Sequence, residues 1–146
     1  MPFSPLKLLV VYDNARGYCA RIAPELVSGL VDRAFLVDAF SLEDVPQSVN
    51  PEEYDGLIFG FPIFGSGRDG SPTDAIVEFA KSLGDLDDYR VAIFSVHQIW
   101  DGPSLLRFKA VLEDQGADVV CSRSYWSFRP DHRNHELPAE IMVRIR

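Results

Sequence analysis

The reading of the chain turns on Tyr54-Asp55-Gly56-Leu57-Ile58-Phe59-Gly60-Phe61-Pro62-Ile63-Phe64-Gly65-Ser66-Gly67-Arg68-Asp69-Gly70. Its first part, Gly56 to Gly60, is a short apolar run closed by glycine at both ends. Such a run reads as a strand buried on both faces, the kind found in the middle of a parallel sheet. Phe61-Pro62-Ile63-Phe64 is apolar as well, and Gly65, Gly67 and Gly70 follow within six residues. A long glycine-punctuated loop with aromatics, at the carboxyl end of a central strand, is where open α/β folds bind ligands.

Outward from that stretch, strand and helix patterns alternate. Lys7 to Tyr12 is apolar on both faces and reads as the first strand, followed by a turn, Asp13-Asn14-Ala15-Arg16-Gly17. From Tyr18 to about Leu30, Ile22, Leu26, Val27 and Leu30 recur at helical spacing. Pro24 inside that pattern requires either that the regular helix starts near Arg21 or that it kinks. Arg33 to Val37 reads as a second strand, and Leu42 to Pro51 as a polar, turn-rich connection. After the glycine loop, Ser71 suits an N-cap, Pro72 the first helical position, and Asp74 the positive helix end. Ile76, Val77, Phe79, Ala80 and Leu83 form that helix's apolar face.

Arg90 to Ser95 is a fourth strand, and Val96 to Gly102 a loop carrying Trp100. Pro103 to Gln115 is a helix with Leu105, Leu106, Phe108, Val111 and Leu112 facing inward. Ala117 to Ser122 is a fifth strand, and Glu136 to Arg146 a final helix. Strands alternating with helices predict a parallel sheet covered on both faces, an α/β fold in three layers. With five strands and no glycine fingerprint after the first, the expected strand order is 2-1-3-4-5. Its switch point lies between strands one and three, so the crevice is formed by the loops after Tyr12, Gly60 and Ser95. The expectation is one domain over residues 1–146, with a core of about 6–122 and a tail of 123–146.

Composition narrows the function. A hydrophobic fraction of 47% with 25% charged residues is that of a globular domain rather than a disordered chain. No apolar run approaches the roughly 20 residues that span a bilayer. MPFSPLKLLVVYD lacks a basic n-region and a small-residue cleavage site, so it reads as a first strand, not a signal peptide. Cys19 and Cys121 follow no metal or disulfide spacing, which fits free thiols in a reducing cytoplasm. A net charge of −8 and a pI of 4.7 argue against non-specific nucleic-acid binding and suit a small ligand or a basic partner.

Two parallel α/β classes fit poorly. A nicotinamide dinucleotide domain needs GxGxxG after strand one, where DNARGY carries one glycine. A phosphoacceptor domain would follow Asp13 with an aspartate at the end of strand three, where Gly60-Phe61-Pro62 stands. The order of a short glycine-bearing loop, YDGLIFGFPIFGSG, FSVHQIWDG and GADVV instead resembles the flavodoxins over nearly the whole chain, to about Ser122. The strand-three loop, Gly60-Phe61-Pro62-Ile63-Phe64-Gly65, carries most of the likeness. The spacing from Tyr12 to Gly17 and Arg21-Ile22-Ala23 look most like the menaquinone-dependent protoporphyrinogen oxidase branch.

What this resemblance implies is an FMN site in a flavoprotein of electron transfer, or in a small quinone- or nicotinamide-linked oxidoreductase. Asp13, Asn14, Ala15, Arg16, Gly17, Tyr18 and Cys19 would form the phosphate loop. Phe61, Pro62, Ile63, Phe64 and Gly65 would lie on one side of the isoalloxazine ring, and Ser95, Val96, His97 and Trp100 on the other. The implied partners are a redox protein or a small-molecule acceptor, with a homodimer as a further option. The phosphate loop departs from the flavodoxin pattern, because it has no serine or threonine. Asp13 stands where a hydroxyl is usual, and a carboxylate repels a phosphate dianion. Arg16 offers compensating charge, and Asn14, Tyr18 and Cys19 offer donors.

Each residue also has a structural reading. Phe61 and Phe64 can simply cover the sheet end, Trp100 can pack before a turn, and Asp13 can cap its own turn. No acid, base or nucleophile triad is visible, which leaves a hydrolase without support. His132 and His135 stand at metal-like spacing but lack a third ligand, so no metal site is assigned. Arg123, Tyr125, Trp126, Phe128 and Arg129 form a cationic-aromatic cluster with three open roles: over the ring's edge, at a dimer contact, or as core cover. The alternative function is a domain of this fold that has lost its cofactor and serves as a binding module.

Overall fold

The computed structural model describes residues 5–63, 71–97, 102–126 and 136–145. The strands are β1 (Lys7–Tyr12), β2 (Leu36–Ser41), β3 (Gly56–Ile63), β4 (Arg90–His97) and β5 (Asp118–Trp126). The α-helices are α1 (Ala23–Asp32), α2 (Asp74–Ser82), α3 (Ser104–Asp114) and α4 (Glu136–Arg144). All neighbouring strands run parallel, in the order β2-β1-β3-β4-β5, as the alternation of elements predicts. This is the flavodoxin-like α/β arrangement.

The period-two alternation of the strands divides the core in two. Leu8, Val10, Ile58, Ala92, Phe94 and Val96 face α1 and α4, where Ile22, Leu26, Leu30, Leu137 and Ile141 meet them. Leu9, Val11, Leu57, Phe59, Phe61 and Ile93 face α2 and α3, where Ile76, Ala80, Phe108 and Leu112 meet them. Gly60 lies on the first of these faces for a packing reason. A Cβ there would overlap the Phe94 ring, which crosses it from β4. Gly56, at the other end of β3, leaves room for Ile145 in the same way.

Several boundaries differ from the sequence reading, each for a physical reason. The first helix begins at Ala23, close to the later start that Pro24 allows, rather than at Tyr18. Two short 3-10 turns, Ala15–Gly17 and Cys19–Arg21, precede α1. Pro24 then falls in the first turn of α1, where its missing N–H has no helical partner to lose. The second strand is Leu36–Ser41 rather than Arg33 to Val37. The end of α1 consumes Arg33 and Ala34: their N–H groups donate to Leu30 O and Val31 O, and Ala34 turns left-handed at φ 66°. Asp38 is tolerated in β2 because β2 is an edge strand, and its carboxylate accepts the Tyr54 hydroxyl at 2.8 Å.

β3 runs three residues beyond Gly60, through Pro62. Its pairing with β1 ends at Gly60, so beyond that point only β4 flanks it and a proline is accommodated. β4 runs on to His97, and β5 from Asp118 to Trp126 with a bulge opposite Val91 and Ala92. α2 starts at Asp74 with Thr73 at its N-cap, so Ser71 is not the cap. The Ser71 hydroxyl instead accepts from Arg107 Nη1 at 2.8 Å. On α3, Leu106 faces outward at 71% exposure, against the expected inward position. Arg123, Tyr125 and Trp126 belong to β5 itself, whereas Phe128, Arg129, His132 and His135 lie outside the described residues.

Candidate functional site

The sheet places the carboxyl ends of β1, β3 and β4 side by side. Asp13 leaves β1 with its N–H donating to Gly60 O at 2.9 Å, which ties the first loop to the middle of β3. Ile63 is level with His97, so β3 and β4 end together, and Trp126 of β5 is level with His97 on the other side. The switch point between β1 and β3 therefore opens onto the loop from Asp13 to Cys19, as the strand order requires.

That loop has a defined conformation. Asn14 sits in the bridge region (φ −92°, ψ 22°), and Arg16 and Gly17 follow in succession with φ of 58° and 72°. Gly17 donates to Asn14 O at 2.8 Å, closing the turn. A left-handed arginine is costly unless its surroundings hold it, and such residues collect at functional loops. Arg16 is exposed, whereas Tyr18 and Cys19 are buried beneath the loop on the α1 face of the sheet.

The polar side chains of this loop turn onto the loop itself. Asp13 is buried, and its Oδ1 accepts the Ala15 N–H at 3.0 Å. Asn14 Oδ1 accepts the Ala20 N–H at 3.2 Å. The first of these takes a backbone donor of the segment that would cradle a phosphate; the second takes the donor just past its end. The electrostatics agree. Burial, and after it the charge of Asp13, push the Cys19 thiol well above the ordinary thiol range. Tyr12, at the end of β1, is raised by burial and then by Cys19 and Asp44. As it stands, the loop fits a phosphate dianion poorly: a carboxylate already holds one of its N–H groups, and it has no serine or threonine.

The expected ring walls divide into three groups. Phe61 is wholly buried, with its ring edge-on to Phe108 at 5.3 Å between centroids. Its side chain belongs to the core rather than to a ring wall. Val96 is likewise wholly buried against the α1 face, and Ile63 is buried on the α2–α3 face. Pro62 is buried at the β3 end. Phe64, Gly65 and Trp100 lie outside the described residues.

Ser95 and His97 belong to a chain of polar contacts that the sequence reading did not assemble. Ser124 Oγ lies 2.7 Å from His97 Nδ1 and 3.1 Å from Ser95 Oγ. The Trp126 ring stands edge-on to the imidazole at 6.4 Å. Ser124 is the residue the sequence reading missed. The signal for it was the alternation Ser122, Ser124, Trp126 on one face, legible only once β5 is extended past Ser122. Among the described residues, no cluster of three or more His, Cys, Asp and Glu side chains could hold a metal ion. No described helix is long and apolar enough to cross a membrane. An apolar groove of about 430 Å³ lies between α1 and the edge strand β2, lined by Tyr12, Pro24, Val27, Val31 and Ala39. It lies on the β2 side of β1 and reaches Tyr12 at the end of that strand.

Comparison with solved structures places the fold. The chain is similar to oxidised flavodoxin 1 of Bacillus cereus, with a TM-score of 0.74 and 19% identity over 95% of this chain and 96% of that one. It is similar to two-electron reduced flavodoxin of Megasphaera elsdenii, with a TM-score of 0.76 and 23% identity over 93% and 98% of the two chains. A likeness to rubredoxin oxygen:oxidoreductase of Desulfovibrio gigas has a TM-score of 0.77 and 16% identity, and covers 36% of that longer chain. No protein-family profile matches the sequence, and no curated protein matches it. At these identities the likeness is one of fold, and it extends over nearly the whole length of the two flavodoxins.

Proposed function

We propose that the chain is a flavin-binding redox protein of the flavodoxin type. The observation that carries this reading is the β1–β3 switch point, where a loop with two successive left-handed residues is tied to β3 by the Asp13–Gly60 bond. The sequence resemblance supports FMN as the flavin and electron transfer as the role. A bound flavin would supply the redox chemistry, while the ends of β3 and β4 would flank its ring. A small quinone- or nicotinamide-linked oxidoreductase is the finer form of the same reading. A porphyrinogen substrate draws on the sequence resemblance alone.

The second reading is a domain of this fold that binds no flavin and serves as an interaction module. The Asp13–Ala15 bond favours it, because it fills a donor of the phosphate loop from within the chain. Titration of the purified protein with riboflavin and with FMN separates the two. Quenching of flavin fluorescence together with a rise in melting temperature is expected for the flavin reading. No quenching and no thermal shift with either flavin at saturating concentration would leave the interaction module.

A further inference from the structure

We propose that the Asp13 carboxylate occupies the anion seat of the first loop, so that the crevice takes a flavin ending in a neutral hydroxyl in preference to one ending in phosphate. This rests on the flavin reading and names the ligand class of that same site. Two observations converge on it. Asp13 is buried at the carboxyl end of β1, and its Oδ1 accepts the Ala15 N–H at 3.0 Å. The loop from Asp13 to Cys19 contains no serine or threonine to donate to a phosphate.

The chemistry follows from charge and donor count. A phosphate dianion needs several N–H or O–H donors turned toward it and no like charge among them. Here a carboxylate stands among the donors, in a partly desolvated position where like-charge repulsion is strong. A terminal hydroxyl, as on riboflavin, reverses the sign of that contact: it donates to a carboxylate instead of being repelled by one. Arg16 is the cation of the loop, but it is exposed, and water screens its attraction more than it screens the buried Asp13.

The test is the ratio of riboflavin to FMN affinity, read by flavin fluorescence quenching in low and moderate salt. The unmodified protein is expected to bind riboflavin at least about tenfold more tightly than FMN. Asp13→Asn keeps an oxygen for the Ala15 N–H and removes the charge, so the ratio should fall toward one or reverse. Added salt should narrow the ratio in the unmodified protein and leave it nearly flat in the variant. If the unmodified protein binds FMN as tightly as riboflavin or more so, the inference is overturned while the flavin reading stands. An Asp13→Asn ratio equal to that of the parent also overturns it. Failure to bind either flavin removes both readings.

Discussion

Gly60 shows how one residue can be read correctly for the wrong reason. In the sequence it marks the end of a buried strand and the start of a family-like loop. In the fold it is a mid-strand residue over which the Phe94 ring lies. Gly60→Ala should therefore destabilise by about 1–3 kcal/mol through overpacking, measurable as a lower denaturant midpoint. Stability unchanged in the variant would mean that the Phe94 ring moves aside freely. The two cysteines make a second residue-scale prediction. Burial, chiefly, raises the Cys19 thiol above its ordinary 9.0, and raises Cys121 to about 11. Above pH 9 the unfolded chain then releases thiol protons that the folded chain retains. Stability should fall as pH rises, by up to about 1.4 kcal/mol per pH unit for each thiol involved. Urea melts between pH 8 and 10 test this, and Cys19→Ala should flatten part of the slope.

At the scale of elements, the sequence yielded the centre of each strand and helix better than its ends. β1 is legible to the residue because apolar side chains fill it after Lys7 and a turn ends it at Asp13. β2 is displaced because an edge strand needs less apolar character, so Asp38 and Ser41 hid its second half. β3 and β4 are longer because strand pairing continues wherever one neighbour remains, which a stop at glycine or serine does not reveal. The candidate site was legible to the same degree. Its place in the strand order follows from the alternation of elements. The inward turn of Asp13 and the burial of Phe61 depend on local hydrogen bonds and ring packing, which no spacing encodes. One contact between elements was equally hidden. Gln115, just past α3, donates from Nε2 to Ala80 O at 2.8 Å and to Gly84 O at 2.7 Å, satisfying carbonyls at the end of α2. Gln115→Leu should cost about 1–3 kcal/mol, since those carbonyls lose their partner. An unchanged melting temperature would show that water replaces the amide without penalty.

Over the whole molecule the two ends of the sheet do different work. The carboxyl ends of β1, β3 and β4 carry the proposed site, while the amino ends are closed by packing and by Lys7 N donating to Asp55 Oδ2 at 2.7 Å. α4 contributes to the sealed end. Its Arg144 O accepts from Arg90 Nη1, Glu140 pairs with Arg123 at 2.9 Å, and the adjoining Ile145 packs into the space over Gly56. The exposed ion pair contributes little on its own, so the apolar contact carries the attachment. Gly56 lies four residues along β3 from Gly60, whose carbonyl holds the Asp13 N–H, a distance of roughly 13 Å at the usual rise per residue. Ile145→Ala should therefore lower stability by at least about 2 kcal/mol, because Gly56 leaves no side chain to refill the space. The same substitution should leave the ratio of riboflavin to FMN affinity unchanged, since it touches neither Asp13 nor the donors of its loop. Thermal melts and flavin titrations on one preparation read both quantities. A shift in the ratio alongside the loss of stability would show that the sheet transmits strain from its sealed end to the loop after β1, and the loop's selectivity would then belong to the whole sheet rather than to Asp13.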